Sequence, residues 1–229
     1  MEFALSEEQE ILMGSVKKML DENISIDNLR EHSKGDDLLR KCLRKLIVDM
    51  GLPGLMIPEE YGGSGLGVLE ASLVAEQLGS YAVPSPWIGN SIMAPTAILF
   101  DRENNLAEKW LPLIASGEIT ACVSLSEVIG KRSDLGLVLD GANVSGVSIF
   151  GIDGELNPTI IITAVDDNLI LVETDNNGVE INEIPTIDTT RPVVEIIFDS
   201  SKCQIIPGGK DAIQKTIDVG RIGLAADLL

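Results

Sequence analysis

The chain has 229 residues, 45% of them hydrophobic, a formal net charge of −19 and a pI near 4.3. That apolar content builds a core and excludes a disordered chain. The acidic balance repels nucleic acid and anionic membranes, and apolar runs such as Thr159–Ile162 fall far short of the roughly 18 residues a membrane helix needs.

In chain order, Ser6-Glu7-Glu8-Gln9 has the pattern of a capping box, and Ile11, Leu12, Val16, Met19 and Leu20 follow at helical spacing. The acidic residues around this start (Glu2, Glu7, Glu8, Glu10) do not form the basic region of a secretory signal. His32, the one histidine, sits in the polar stretch REHSKGDD and is read as solvated. A single histidine supports neither a His-ligated metal site nor a His-dependent triad. Leu38, Leu39, Cys42, Leu43, Leu46 and Ile47 repeat the helical spacing up to Gly51-Leu52-Pro53-Gly54.

The stretch IPEEYGGSGLG, 57–67, is dense enough in glycine to suggest a phosphate loop. It fails both tests. No Lys-Ser/Thr pair follows Gly67, and Gly63 and Gly65 would need a further glycine where Val68 stands. A turn between two apolar helices, with glycines at positive φ, is the reading that remains. Val68–Leu78 is the next helix, stopped by Gly79; Pro84-Ser85-Pro86 breaks the chain again, and Ser91–Leu99 and Leu106–Ile114 read as two more helices.

Near residue 119 the texture changes to short β-branched runs (VSL, GLVLD, NVSGVSIFGI, PTIIITAV, NLILVET, GVEINEI, PVVEIIFD) punctuated by Asp140-Gly141, Asp166-Asp167-Asn168 and Asn176-Asn177-Gly178. Helical spacing returns from about Lys210, and the sequence stops at Leu229 inside that helix. The expected fold class is therefore α+β: an N-terminal helical domain (1–118), an antiparallel β-barrel or sandwich (119–207) and the first part of a C-terminal helical domain (208–229). Three scattered cysteines, Cys42, Cys122 and Cys203, predict reduced thiols and a cytoplasmic protein.

This order of textures, together with FALSEEQE (3–10), DMGLPGLMIPEEYGGSGLG (49–67) and LVAEQLG (73–79), resembles the acyl-CoA dehydrogenase family over essentially the whole chain. AVPSPW (82–87) and DTTRPVVEIIFD (188–199) are similar to the subset that acts on steroid side chains and other atypical substrates. The resemblance implies a flavoprotein that uses FAD for α,β-dehydrogenation of an acyl-CoA thioester. A glutamate takes the α-proton, and the flavin lies between the β-domain and a C-terminal bundle that pairs in homo- or hetero-oligomers.

Two flavin-contacting motifs carry over by residue. The family's L-T-E-P-G-A-G-S-D is matched by Leu125-Ser126-Glu127, then Val128 to Arg132, then Ser133-Asp134. The resemblance assigns the Leu125 backbone and the Ser126 hydroxyl to the isoalloxazine edge, and Ser133 to the phosphates or the CoA chain. The Pro-Gly turn is lost and the segment is one residue longer; Lys131 and Arg132 are either a replacement charge or exposed loop cations. The family's G-S-K-x-W-I-T-N-G is matched by Gly146 through Gly154, with Phe150 in place of the Trp on the flavin ring and Ile152 in place of a hydrogen-bonding threonine. From the alternation alone, Phe150 fits a core strand residue equally well.

None of Glu59, Glu60, Glu70, Glu76 or Glu127 matches a family base position, so the catalytic glutamate is expected from a partner chain or a C-terminal part. Three readings follow. They are a subunit completed by another polypeptide, a non-catalytic partner that has lost flavin binding, and a truncated product with Ile217, Ile222 and Leu224 left unpartnered. Arg191, between Asp188 and Pro192, is read as a structural arginine held by an Asp–Arg pair.

Overall fold

A computed structural model describes residues 4–101, 105–125, 136–154, 157–175 and 178–229. Helices come first: α1 (Glu7–Asn23), α2 (Ile26–Ser33), α3 (Leu38–Asp49) and α4 (Val68–Ser80). The capping box closes as the sequence predicts. Gln9 N–H donates to Ser6 Oγ at 3.2 Å, and Ser6 N–H donates back to Gln9 Oε1 at 2.9 Å. Leu39, Leu43 and Ile47 are the buried stripe of α3. Glu70 opens α4 by accepting from Gly67 N–H at 2.9 Å. The Gln9 amide beside it, at 2.8 Å, holds the Glu70 carboxyl below its ordinary range despite partial burial.

The expected helix over 91–99 begins earlier and differently. Ile88–Met93 is a π-turn that runs into α5 (Ala94–Ile98), with Ala94 N–H donating to Gly89, five residues back. Pro95 has no N–H to donate into a regular turn, so the ladder is interrupted where it would have to take part. α6 (Leu106–Ala115) completes the helical layer and buries Trp110, Leu111 and Ile114.

Among the described residues seven strands follow: β1 (Ala121–Ser124), β2 (Leu137–Asp140), β3 (Asn143–Ile152), β4 (Ile160–Val165), β5 (Asn168–Glu173), β6 (Val179–Ile184) and β7 (Val193–Ile206). Pairing runs β3-β1-β4-β5-β7, and β7 returns to β3, so five strands close a barrel. β2 and β6 extend it, on β3 and β7 respectively. The pairs are antiparallel except β1–β4, which is parallel. The β2–β3 hairpin is inserted between those two strands, and this excursion brings the chain back in the same direction.

Two cores share the β1–β4–β5 wall. Cys122, Ile161, Ile170, Val172, Val194, Ile196 and Phe198 fill the barrel interior. On the outer face Ala121, Val123, Ile160, Ile162, Leu169 and Leu171 join the core of the helices. β4 is therefore buried at every position and reads as an unbroken apolar run rather than an alternating one.

The last helix, α7 (Gly209–Asp227), lies back across the helical layer. Its end is fastened by Arg191, whose Nη1 donates to the Val83 carbonyl at 2.8 Å and whose Nε and Nη2 grip the Asp227 carboxylate. Arg191 is thus paired, as expected, but with Asp227 rather than Asp188. Asp188 Oδ1 instead accepts from Thr190 N–H at 2.9 Å. A carboxylate in the last turn faces the negative end of the helix dipole, and the guanidinium offsets that repulsion.

His32 departs from expectation. It is 4% exposed, and its Nδ1 lies 2.9 Å from the Asp36 carbonyl. The tight turn after α2 folds the polar segment back over the ring, which local polarity does not reveal.

At Gly79 an added Cβ would lie 1.9 Å from the Asp227 carbonyl oxygen. Gly→Ala inside a helix ordinarily stabilises by about 1 kcal/mol. Here Gly79→Ala is expected to destabilise by about 1–3 kcal/mol, because α7 must move. Urea unfolding of the variant reads the sign directly.

Candidate functional site

The glycine-rich segment is settled by its backbone donors. Gly63, Ser64, Gly65 and Leu66 N–H groups donate to the carbonyls of Pro58, Gly54, Ile57 and Leu55, at 2.8–3.2 Å. An added Cβ at Gly63 would lie 2.0 Å from the Ile57 carbonyl oxygen, and Gly62 and Gly65 sit at φ +82° and +64°. These glycines let a turn close on itself. They offer no cradle to a phosphate.

The residues singled out by motif lie where β1 ends beside the end of β3. Val123 faces Ile152 across the antiparallel pair; Leu125 follows the end of β1, and Phe150 precedes Ile152 by two residues on β3. Leu125 is buried. Ile152 is half-buried, packed against the helical core, and has no polar atom to offer. Ser126 and Ser133 lie outside the described residues, as do Lys131 and Arg132.

The structure excludes one of the two readings of Phe150, that of a core strand residue. The β3–β7 register slips between Ser148 and Gly151, and Phe150 takes φ +59° at that bulge. A bulge inserts one unpaired residue and re-aims its side chain. The ring is 55% exposed while Ile149 and the backbone of Gly151 turn inward. Phe150 is not a core residue. An aromatic side chain at positive φ is uncommon, and a bulge that leaves the ring outside the core gives up its burial.

Asp153 is the residue that sequence reasoning missed. It is 7% exposed at φ +61°, and its Oδ2 accepts from Gly89 N–H at 2.6 Å and Asn90 N–H at 3.1 Å. The carboxylate therefore caps the start of the Ile88–Met93 turn from the end of a strand over sixty positions away. Asn90 extends the junction, its Oδ1 accepting from Ala121 N–H at 2.9 Å. Behind it, Ser124 Oγ and Ser148 Oγ lie 2.8 Å apart in the buried strand wall. No local pattern announces a cap supplied from so far along the chain; only Asp-Gly after an aromatic strand hints at a special backbone. Among the described residues no cluster of His, Cys, Asp and Glu is suited to a metal ion, and no helix is long and apolar enough to cross a membrane.

A helical layer, a closed barrel and a helix returning to the layer define the fold class. The ChsE4–ChsE5 complex from Mycobacterium tuberculosis shares it, with a TM-score of 0.86 at 21% identity, over 99% of this chain and 64% of that one. Residues 6–118 match the model of the acyl-CoA dehydrogenase N-terminal domain, and through it the chain belongs to the acyl-CoA dehydrogenase family. Isovaleryl-CoA dehydrogenase of Bos taurus is 34% identical over 130 residues, covering 54% of this chain and 29% of its own length. Acyl-CoA dehydrogenase IpdE2 of Mycolicibacterium smegmatis is 28% identical over 164 residues, covering 69% of this chain and 50% of its own. The chain thus spans half or less of these curated relatives.

Asp153→Ala strands two buried N–H groups and removes a charge-assisted acceptor. A loss of about 2–4 kcal/mol is expected. Denaturant unfolding measures it, and Asp153→Asn, which keeps one acceptor oxygen, is expected to recover part of the loss.

Proposed function

We propose that this chain is an acyl-CoA dehydrogenase-like flavoprotein subunit acting in the cytoplasm. Residues 1–118 form its helical domain, 119–207 its β-domain and 208–229 the start of its C-terminal helical domain. The observation that carries the reading is Phe150, an aromatic ring held out of the core by a bulge beside the β1 end. The residues present fit FAD in part. The Phe150 face would pack on the flavin ring, the Leu125 main chain and Ser126 would bond its edge, Ser133 would hold the phosphate or CoA portion, and Ile152 would give only apolar contact. FAD, when bound, supplies the hydride acceptor for dehydrogenation of an acyl-CoA thioester. These residues would hold the group in place and exclude water from it. The glutamate that takes the α-proton comes from a partner chain or from residues beyond 1–229.

Association has two supports. Ile222 and Leu224 stand 46% and 38% exposed on α7, an apolar surface suited to another helix. The ChsE4–ChsE5 neighbour is, by its name, a complex of two components. A second reading, a non-catalytic partner subunit without flavin, is favoured by Ile152, since an unmade hydrogen bond to a buried polar ligand costs about 1–3 kcal/mol.

The visible absorption spectrum of the purified protein, alone and with a co-expressed partner subunit, decides between them. A flavin band bleached by acyl-CoA in the complex is the expected result; no flavin in either sample establishes the second reading. Phe150→Ala is expected to lower flavin retention at least tenfold. Because the ring is exposed, the same variant should change unfolding free energy by less than about 0.5 kcal/mol.

A further inference from the structure

Residues 30–45 are an electrostatic exception in an acidic chain. They carry six of the seventeen Lys and Arg (Arg30, Lys34, Arg40, Lys41, Arg44, Lys45) against only Glu31, Asp36 and Asp37. This segment forms the corner between α2 and α3. Facing it is the turn between β6 and β7, and between the two lies an open cleft of about 780 Å³. That size suits a nucleotide-scale ligand.

The wall on the helical side is built from donors whose bonds are incomplete. α3 begins at the cleft; its N-cap, Asp37, makes no side-chain cap bond, while Asp36 Oδ1 accepts from Leu38 N–H at 2.8 Å. Arg40, in the first turn of α3, is largely buried, and its Nε has no partner among the described residues. Its Nη1 lies 3.7 Å from the carboxylate of Asp37, which is 58% exposed and free to swing away. His32, 4% exposed, also lines the cleft, and its Nε2 has no partner among the described residues. With Nδ1 donating to the Asp36 carbonyl, Nε2 is left as a buried nitrogen behind the cleft wall. Lys41 is exposed on the same wall, and Asn157 and Thr189 face it across the cleft. Asp37 and Glu183 line the rim, and both are exposed.

We propose that this cleft binds a phosphate-bearing small molecule. Its phosphate sits at the N-terminus of α3, taken by Arg40 and Lys41, with the Asp37 carboxylate displaced from the guanidinium. A helix N-terminus, a forked cation and a basic segment favour a tetrahedral oxyanion over a neutral ligand. None of Leu125, Phe150 and Ile152 lines the cleft, although its Ile184 and Pro192 border Val193, the strand partner of Ile152.

Titration calorimetry of the full chain with ADP, inorganic phosphate and adenosine tests this. Saturable binding of ADP is expected, with none of adenosine. Binding should weaken at least about tenfold in Lys41→Ala, which removes an exposed side chain, and in Arg40→Gln. Lys215→Ala, an exposed lysine on α7, should leave it unchanged. Inorganic phosphate binding as tightly as ADP identifies a site for phosphate alone; ADP binding far tighter identifies a nucleotide site. No saturable binding of either, or binding indifferent to Lys41→Ala in a variant with wild-type circular dichroism, overturns the proposal.

Discussion

The Arg191 guanidinium fastens three segments that are distant in sequence. It holds the loop carbonyl of Val83, the carboxylate at the end of α7 and the entry to β7 in one arrangement. Its geometry is demanding because a planar fork must satisfy a carbonyl and a carboxylate together. The surrounding surfaces depend on it. Gly79 can lie against Asp227, and Gly223 against Ile88 and Ile92, only if α7 settles at one depth. The Ile88–Met93 turn is in turn aligned to the barrel by Asp153. One ion pair and one buried cap thus set where the helical layer, the last helix and the barrel edge stand relative to one another.

Much of this was readable in advance because it is local. The Ser6 capping box, the buried stripe of α3 and the change to strand texture near residue 119 each follow from neighbours within a few positions. What escaped is non-local. His32 looks solvated until the turn folds over it. The parallel β1–β4 pair arises from a hairpin inserted between two strands of similar composition, and the π-turn at Ile88 is imposed partly by a missing donor at Pro95 and partly by a cap from Asp153.

The same division runs through the candidate site. Motif spacing led to Leu125, Phe150 and Ile152, and the structure places them where β1 ends and β3 ends, with Val123 opposite Ile152. Periodicity left Phe150 undecided, because a bulge is a break in period that alternating sequence does not encode. Asp153 carried no motif weight of its own, yet it ties that bulge to the helical layer.

The shared wall has a consequence for how the protein folds. β4 and β5 show one apolar face to the barrel and the other to the helices. A barrel formed alone would present Ile160, Ile162, Leu169 and Leu171 to water as a continuous sticky surface, and helices formed alone would lack their floor. Neither half is a complete thermodynamic unit. The two parts should melt in a single transition, and newly made chain should remain dependent on chaperones until β5 has emerged, because until then each nascent half lacks its missing surface.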